Sequence, residues 1–427
     1  MENCLRISKK KKGNKKMKKK KVNLSIDVGN GYTKASINDV TVKFPSIVAV
    51  NFGRTTIPLK AEEAEEFFKE NIYNQLDASF DSVLVENKNR RLFGERAIQS
   101  GFSTEEFDVS STVSKSEVDL SGVLVLGAIA GRVLVDYWNE NHKLPEEIVP
   151  VECNMVTSLP ISEYRHYRDV YAQKYMNGEH LVTIYNFETP IRVSIKFTMA
   201  KVVAESESGG YCLSFGSDNI IQTFLDQARA DGQELEGITI ADLKAVKSSM
   251  SVDIGEGTMN IAVFTNSRFN FDASNTYPKG YGTVLNATID RLRDMGYHFK
   301  DRKEISEFMS SEPSALARAR YNKVLQVVNE EIELFSNEIA MQVSRAISKS
   351  GGFVECIFVS GGGAVPMKPA LYPKLLKLTK ATDDDIVLPI LYLANEQSQF
   401  LNQLGLKMIL DLAVDAKEKQ KKNDKKE

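Results

Sequence analysis

Two short stretches hold the residues best able to do chemistry. Asp27-Val28-Gly29-Asn30-Gly31 ends one alternating apolar segment, and Asp253-Ile254-Gly255-Glu256-Gly257 ends another. Each places a carboxylate at a strand end, just before a Gly-x-Gly bend. Glycine lets a ligand approach the backbone closely, and the free N–H groups of such a bend can point at anionic oxygens. Lys34, three residues beyond Gly31, adds a positive charge; Thr258 adds a hydroxyl. A phosphate chain suits this chemistry. A carboxylate next to phosphates is repelled unless a cation intervenes, so Asp27 and Asp253 make sense around Mg2+, which takes oxygen ligands and keeps several waters. A turn aspartate bonding its own backbone accounts for either copy alone, but poorly for both.

The two stretches are an internal echo. LSIDVGNGYTKASI (24–37) and MSVDIGEGTMNIAV (250–263) align without a gap: Ser25 with Ser251, Asp27 with Asp253, Gly29 with Gly255 and Gly31 with Gly257, with the apolar positions in step. A repeated hairpin of this kind implies two related domains. A third stretch, Ser360-Gly361-Gly362-Gly363-Ala364, follows the β-branched segment 357–359 and precedes Pro366 and Pro369, which suit a helix entry. Such a turn lets a nucleotide lie against backbone, here at its adenosine and α-phosphate, though a merely flexible turn reads the same way. Hydrolysis of a phosphoanhydride needs electrostatic stabilisation and a positioned water. In VVAESESGGY, Glu205 and Glu207 stand at the end of a strand, either as water-orienting groups or as exposed loop carboxylates.

The elements that must position these residues alternate between strand and helix in both halves, which gives an α/β class. Strands are expected over 40–48, 152–159, 191–204 and 357–359. Helical stretches are expected over 61–72, 121–138, 322–348 and 395–414. The last has Phe400, Leu404, Met408 and Leu412 as its apolar positions. The apolar helix 121–138 carries Arg132 and reads as a core helix; no longer uninterrupted apolar run argues for a membrane span. The chain has 427 residues, 42% hydrophobic and 26% charged, within the ordinary globular range. Cys4, Cys153, Cys212 and Cys356 are scattered without a CxxC pair, which argues against structural zinc or a disulfide framework and fits a reducing cytoplasm. The net charge of −2 hides an asymmetry: residues 1–21 hold ten Lys and one Arg against one Glu, about +10, leaving about −12 on the rest. This arm should be disordered. It reads either as a solvated extension ahead of a working start at Met17, or as an electrostatic contact with nucleic acid or an acidic neighbour. Residues 415–427 read as a second solvated tail.

These motifs resemble the actin, sugar kinase and heat-shock chaperone ATPase superfamily. DVGNGYTKA is similar to its first phosphate loop, DIGEGTMN to its second and VSGGGA to its adenosine loop. Within it the sequence looks closest to the bacterial ParM-type plasmid-segregation actins. Lys34, TSLPISEYRHYRD, FGERAIQSG, ESESGGY and LANEQSQFLNQLG carry that likeness. The resemblance implies a two-lobed fold with a related βαβ core in each lobe. Domain I would be 22–211, completed by 391–420, and domain II 212–390, with an insertion over 216–246; 1–21 and 421–427 would be disordered. It implies ATP (or GTP) with Mg2+ in the cleft. Asp27, Gly29, Asn30, Gly31, Tyr32, Thr33, Lys34, Asp253, Gly255, Glu256, Gly257, Thr258, Gly361, Gly362, Gly363 and Ala364 would bind the nucleotide. Asp27 and Asp253 would hold the metal. Glu205 would serve the hydrolytic water, with Glu207 in reserve. It further implies a cytoplasmic, filament-forming ATPase that moves plasmid or phage-like DNA through an adaptor bound at a centromere-like site, with no membrane partner. The rival readings are a small-molecule kinase of the sugar type and a non-plasmid cytoskeletal scaffold. No third aspartate between the phosphate loops suggests itself as a kinase base.

Overall fold

The computed structural model describes residues 17–53, 57–108, 113–215, 217–351, 354–380 and 388–423. Ten strands form the sheet of the first lobe: β1 (Lys20–Val28), β2 (Tyr32–Ile37), β3 (Val40–Pro45), β4 (Val48–Asn51), β5 (Asp77–Asp81), β6 (Arg90–Phe93), β7 (Thr104–Glu105), β8 (Val149–Leu159), β9 (His180–Ile184) and β10 (Ile191–Ala204). Their order is β3-β2-β1-β8-β10-β9-β5-β6-β4-β7. The glycine bend returns β2 antiparallel to β1, while β8 joins the other side of β1 in parallel and β10 runs parallel to β8. Parallel pairing needs a long crossover, and the helix Asp119–Asn141 supplies it. That helix has the length and composition to cross a membrane, but 78% of its most apolar window is buried inside the lobe, as a core helix requires.

The second lobe repeats this plan. Its strands are β11 (Ser249–Ile254), β12 (Met259–Thr265), β13 (Arg268–Phe269), β14 (Asn275–Tyr277), β15 (Cys356–Ser360) and β16 (Ile390–Tyr392). The order is β13-β12-β11-β15-β16, with β14 on β12. Again the hairpin partner is antiparallel, and two parallel strands follow on the other side. The sequence echo is therefore a repeat of topology: a two-lobed α/β fold with a related βαβ core in each lobe. The helix Arg318–Lys349 buries Val324, Val327, Ile332, Phe335, Ile339 and Val343 against this second sheet. Residues 217–246 contribute the helices Asp218–Ala230 and Ile240–Ala245. Phe224 packs edge-on to Phe358 at 5.5 Å, and the Gln233 side chain extends the sheet edge by bonding both N–H and C=O of Ile390.

Four expectations are corrected here. β1 begins at Lys20, inside the stretch assigned to a disordered arm, because Lys20 and Lys21 pair with Val151 and Glu152 and Lys19 reaches Glu152 at 2.8 Å; residues 1–16 lie outside the described part. The helix Leu401–Asn423 continues through most of the supposed tail. There Lys417 donates to Asn154 Oδ1 and Thr198 O, each at 2.9 Å. The face of that helix is also different: Leu406, Ile409 and Leu410 pack against Val156 and Val203 of the first lobe, while Leu412 is 64% exposed. Strict four-residue spacing overshoots the 3.6-residue turn and walks off the buried face. Finally, the boundary drawn between 211 and 212 falls inside the helix Glu207–Phe215.

Candidate functional site

The two bends meet across a crevice between the lobes. Asp27 and Asp253 are each the penultimate residue of their strand. A side chain at Gly29 would bring its Cβ to 2.7 Å from Tyr32 O, so the first bend needs glycine there. The second bend is closed by Gly255 N donating to Thr258 O at 2.9 Å. Glu256, at the tip of the second bend, occupies the space a Cβ on Gly31 would take, so one bend covers the backbone of the other. Its other oxygen is anchored by Arg302 at 3.0 Å.

Both carboxyls are held above the usual carboxylate range. Burial pushes Asp27 upward, with Lys34 opposing and Glu205 adding repulsion. Lys34 is its direct cross-strand neighbour. Burial, then the charge of Asp27, pushes Asp253 up to about 6. Asn402 Nδ2 donates to Asp253 Oδ2 at 2.8 Å, and the Ser206 hydroxyl stands 3.5 Å away. Two acids that repel each other in a desolvated crevice are the arrangement a divalent cation resolves. The buried Ser158 hydroxyl lies beside Asp27 and opposes its upward shift. Among the described residues no group of three or more His, Cys, Asp or Glu stands ready for a metal. An Mg2+ here would complete its shell from waters and ligand oxygens.

The two candidate glutamates part company. Ser206 between them has φ of +65°, a left-handed conformation uncommon outside glycine, and the chain turns there. Glu205 is 6% exposed and lies in the crevice. Asn260 Nδ2 of the second lobe donates to its Oε2 at 3.1 Å, and Lys115 Nζ to its Oε1 at 3.3 Å. Glu207, the first residue of the helix Glu207–Phe215, turns back onto the end of β10, where Oε2 accepts the Ala204 N–H at 3.3 Å.

The remaining candidates divide in the same way. Asn30 and Thr258 line a cavity of about 310 Å³ together with Lys115 and Glu163. Tyr32 lies on the surface, its ring 4.4 Å from Lys43 Nζ. Thr33 is fully buried and its hydroxyl pairs with Ser46 at 2.9 Å. In the third stretch, Gly361 has φ of +101°, and a Cβ there would fall 2.5 Å from Asp253 Oδ1. Gly363 N donates to Ile254 O at 2.8 Å. Both glycines thus serve close packing of the third loop on the second bend. Gly362 is the open one, with only Gln399 Cβ near, at 3.9 Å. Ala364 is buried, and its carbonyl accepts from Tyr392 at 2.7 Å.

Sequence reasoning missed Lys115, Asn260, Asn402 and the loop Gly280-Tyr281-Gly282, whose N–H groups at 281 and 282 bond Gly255 O and Glu256 O. Asn260 was findable, since it stands where the first copy has Lys34. Lys115 carries no local motif.

Two lobes of one topology, with paired acidic bends on a shared crevice, define an actin-fold protein. Residues 25–207 match the family model for the actin-like proteins' N-terminal domain, and residues 251–372 match that for the C-terminal domain of the archaeal MreB-like actin homologue. The chain belongs to the actin-like proteins. No curated protein matches it by sequence. Among solved structures it is similar to the actin-like protein Alp7A, at 16% identity and TM-score 0.64 over 95% of this chain and 100% of that one. It is also similar to the ParM of a 15-stranded filament from Clostridium botulinum, at 16% identity and TM-score 0.56 over 92% and 99%. Bacillus thuringiensis ParM with AMPPNP matches at 14% identity and TM-score 0.55, again over 92% and 99%.

Proposed function

We propose that the protein binds Mg2+-ATP in this crevice, hydrolyses it and assembles into cytoplasmic filaments that segregate plasmid or phage-like DNA through a DNA-bound adaptor. The observation that carries the reading is the pair of facing Asp-x-Gly-x-Gly bends, one per lobe, with Glu205 held between them by a residue of each lobe. The relatives named above supply the rest: one is a filament, another holds an adenine nucleotide. Asp27 and Asp253 would hold the metal, which when bound supplies the positive charge their crevice lacks. The bend N–H groups and Lys34 would hold phosphate oxygens, with adenosine against the open face at Gly362. Glu205 would orient the attacking water, the Asn260 amide keeping one carboxylate oxygen fixed so that the other faces the nucleophile. A ligand gripped by both lobes favours the closed form, and a closed protomer that binds head to tail without closing a ring makes a filament.

Sedimentation with ATP, GTP and ADP, read together with phosphate release, tests the reading. Pelleting with triphosphate and release of the pellet on turnover are expected. A protein that stays in the supernatant at micromolar concentration with every nucleotide is not a filament former of this kind.

A further inference from the structure

We propose that Lys115 is a positioning residue for hydrolysis, acting through Glu205; the inference rests on the ATPase reading above. Lys115 lies in the segment that leads into the core helix Asp119–Asn141, far in sequence from every phosphate-loop motif. Its side chain is only 12% exposed. The ammonium donates to Val28 O at 3.1 Å and to Glu205 Oε1 at 3.3 Å. Val28 is the residue between Asp27 and the first bend, so one cation ties the metal-side strand end to the water-side carboxylate.

The segment around this lysine is itself built. Glu163, in the first turn of the helix Ile161–Met176, accepts from Lys115 N–H at 2.9 Å and from the Ser114 hydroxyl at 2.5 Å. Ser121 Oγ, at the start of the core helix, donates to Lys115 O at 2.6 Å. A loop lysine that merely decorated a surface would not have its own N–H, its carbonyl and its ammonium all held. An ammonium has three donors, two of which are used. Lys115 also lines the cavity shared with Asn30, at the tip of the first bend, and Thr258, just beyond the second. The geometry fixes the Glu205 carboxylate from both sides, Lys115 from the first lobe and Asn260 from the second, so the water it orients has one position rather than several.

The test compares wild type, Lys115→Met, Lys115→Arg, Glu205→Gln and the Lys115→Met/Glu205→Gln double variant. Single-turnover hydrolysis, affinity for a fluorescent ATP analogue and melting temperature are read for each. Lys115→Met should cut the hydrolysis rate by about 100-fold or more while leaving nucleotide affinity within about threefold, the signature of a group that aims the reaction rather than holds the ligand. Lys115→Arg, which keeps the charge and bonds Glu205, should recover part of the loss. The double variant should be no slower than Glu205→Gln, because the two residues act as a unit. It also removes the stranded buried carboxylate that would destabilise Lys115→Met alone, so a folding failure of the single variant leaves the comparison intact. Losses that multiply in the double variant, or Lys115→Met turnover within threefold of wild type, overturn the proposal while leaving the ATPase reading standing. Absence of phosphate release by wild type overturns both.

Discussion

The two hairpins share a backbone plan and differ in the residue that pairs with the aspartate. In the first, Asp27 faces Lys34; in the second, Asp253 faces Asn260. Both partners lie seven residues beyond their aspartate, so the difference is a substitution within a repeat and not a change of fold. Its consequence is a division of labour. The first bend brings a cation to its own acid, which suits it to hold phosphate. The second leaves its acid without a cross-strand cation; burial and then the charge of Asp27 push Asp253 up to about 6, and the neutral Asn260 amide reaches across to Glu205 at 3.1 Å. On the proposed reading, the first bend would serve binding and the second would serve the water.

The sharpest way to break this comparison is to remove the water-side acid. Glu205→Gln should lower the hydrolysis rate by about 10²–10⁴-fold, the usual range for a proton-handling or water-orienting group, with nucleotide affinity nearly unchanged. Glu207→Gln serves as the control and should keep turnover near wild type, since its carboxylate is spent on Ala204 N–H. Equal losses in the two variants would erase the distinction drawn between them.

Asp253 gives the next largest effect. Its carboxyl rises from an unfolded value near 4 to about 6 in the fold. A raised acid favours the protonated folded state, so the stability it contributes is complete below about pH 4 and is lost as pH climbs through about 6. Two units correspond to roughly 3 kcal/mol. Nucleotide-free Asp253→Asn should therefore melt higher than wild type at pH 7.5 and close to it at pH 4, while its Mg2+-nucleotide binding is weakened. For wild type, Mg2+-nucleotide affinity should strengthen as pH rises through about 6. A melting advantage of the variant that does not change between pH 4 and 7.5 would refute the assignment of charge shortage to the second bend. On the other hairpin, Lys34→Met should raise the nucleotide dissociation constant about tenfold while changing the single-turnover rate little. A loss in rate with affinity intact would place the water-side role on the wrong bend.

The repeat made the fold legible in advance. Two Asp-x-Gly-x-Gly hairpins in register announced two lobes, and the strand order of the second sheet follows that of the first. What the sequence hid was contact between distant segments. Glu205 and Glu207 are two residues apart and chemically alike; only the left-handed turn at Ser206 sends one into the crevice and the other back along the strand. Gly361 and Gly363 looked like ligand-facing glycines, yet they are small because the second bend lies against them. Lys115 enters the site from a segment whose own sequence offers nothing but a lysine between serines. Local periodicity also misplaced the face of the last helix, because contact with β8 and β10, not spacing alone, selects Leu406, Ile409 and Leu410.

Thr33 is the smallest test and separates sequence likeness from geometry. Its position next to Lys34 nominated it as a phosphate ligand. In the structure its hydroxyl bonds the Ser46 hydroxyl inside the first lobe, and the alternation of β2 puts it on the face opposite Lys34. The equivalent residue of the second hairpin is Met259, also buried, so in both copies this position belongs to the core. Thr33→Val keeps the shape and removes the bond. It leaves Ser46 without its buried partner, which costs about 1–3 kcal/mol, and should lower the melting temperature by a few degrees. Nucleotide affinity and hydrolysis should stay within about twofold of wild type. A tenfold loss of affinity without a loss of stability would put Thr33 back among the phosphate ligands and require the first bend to turn a different face to the crevice when nucleotide is bound.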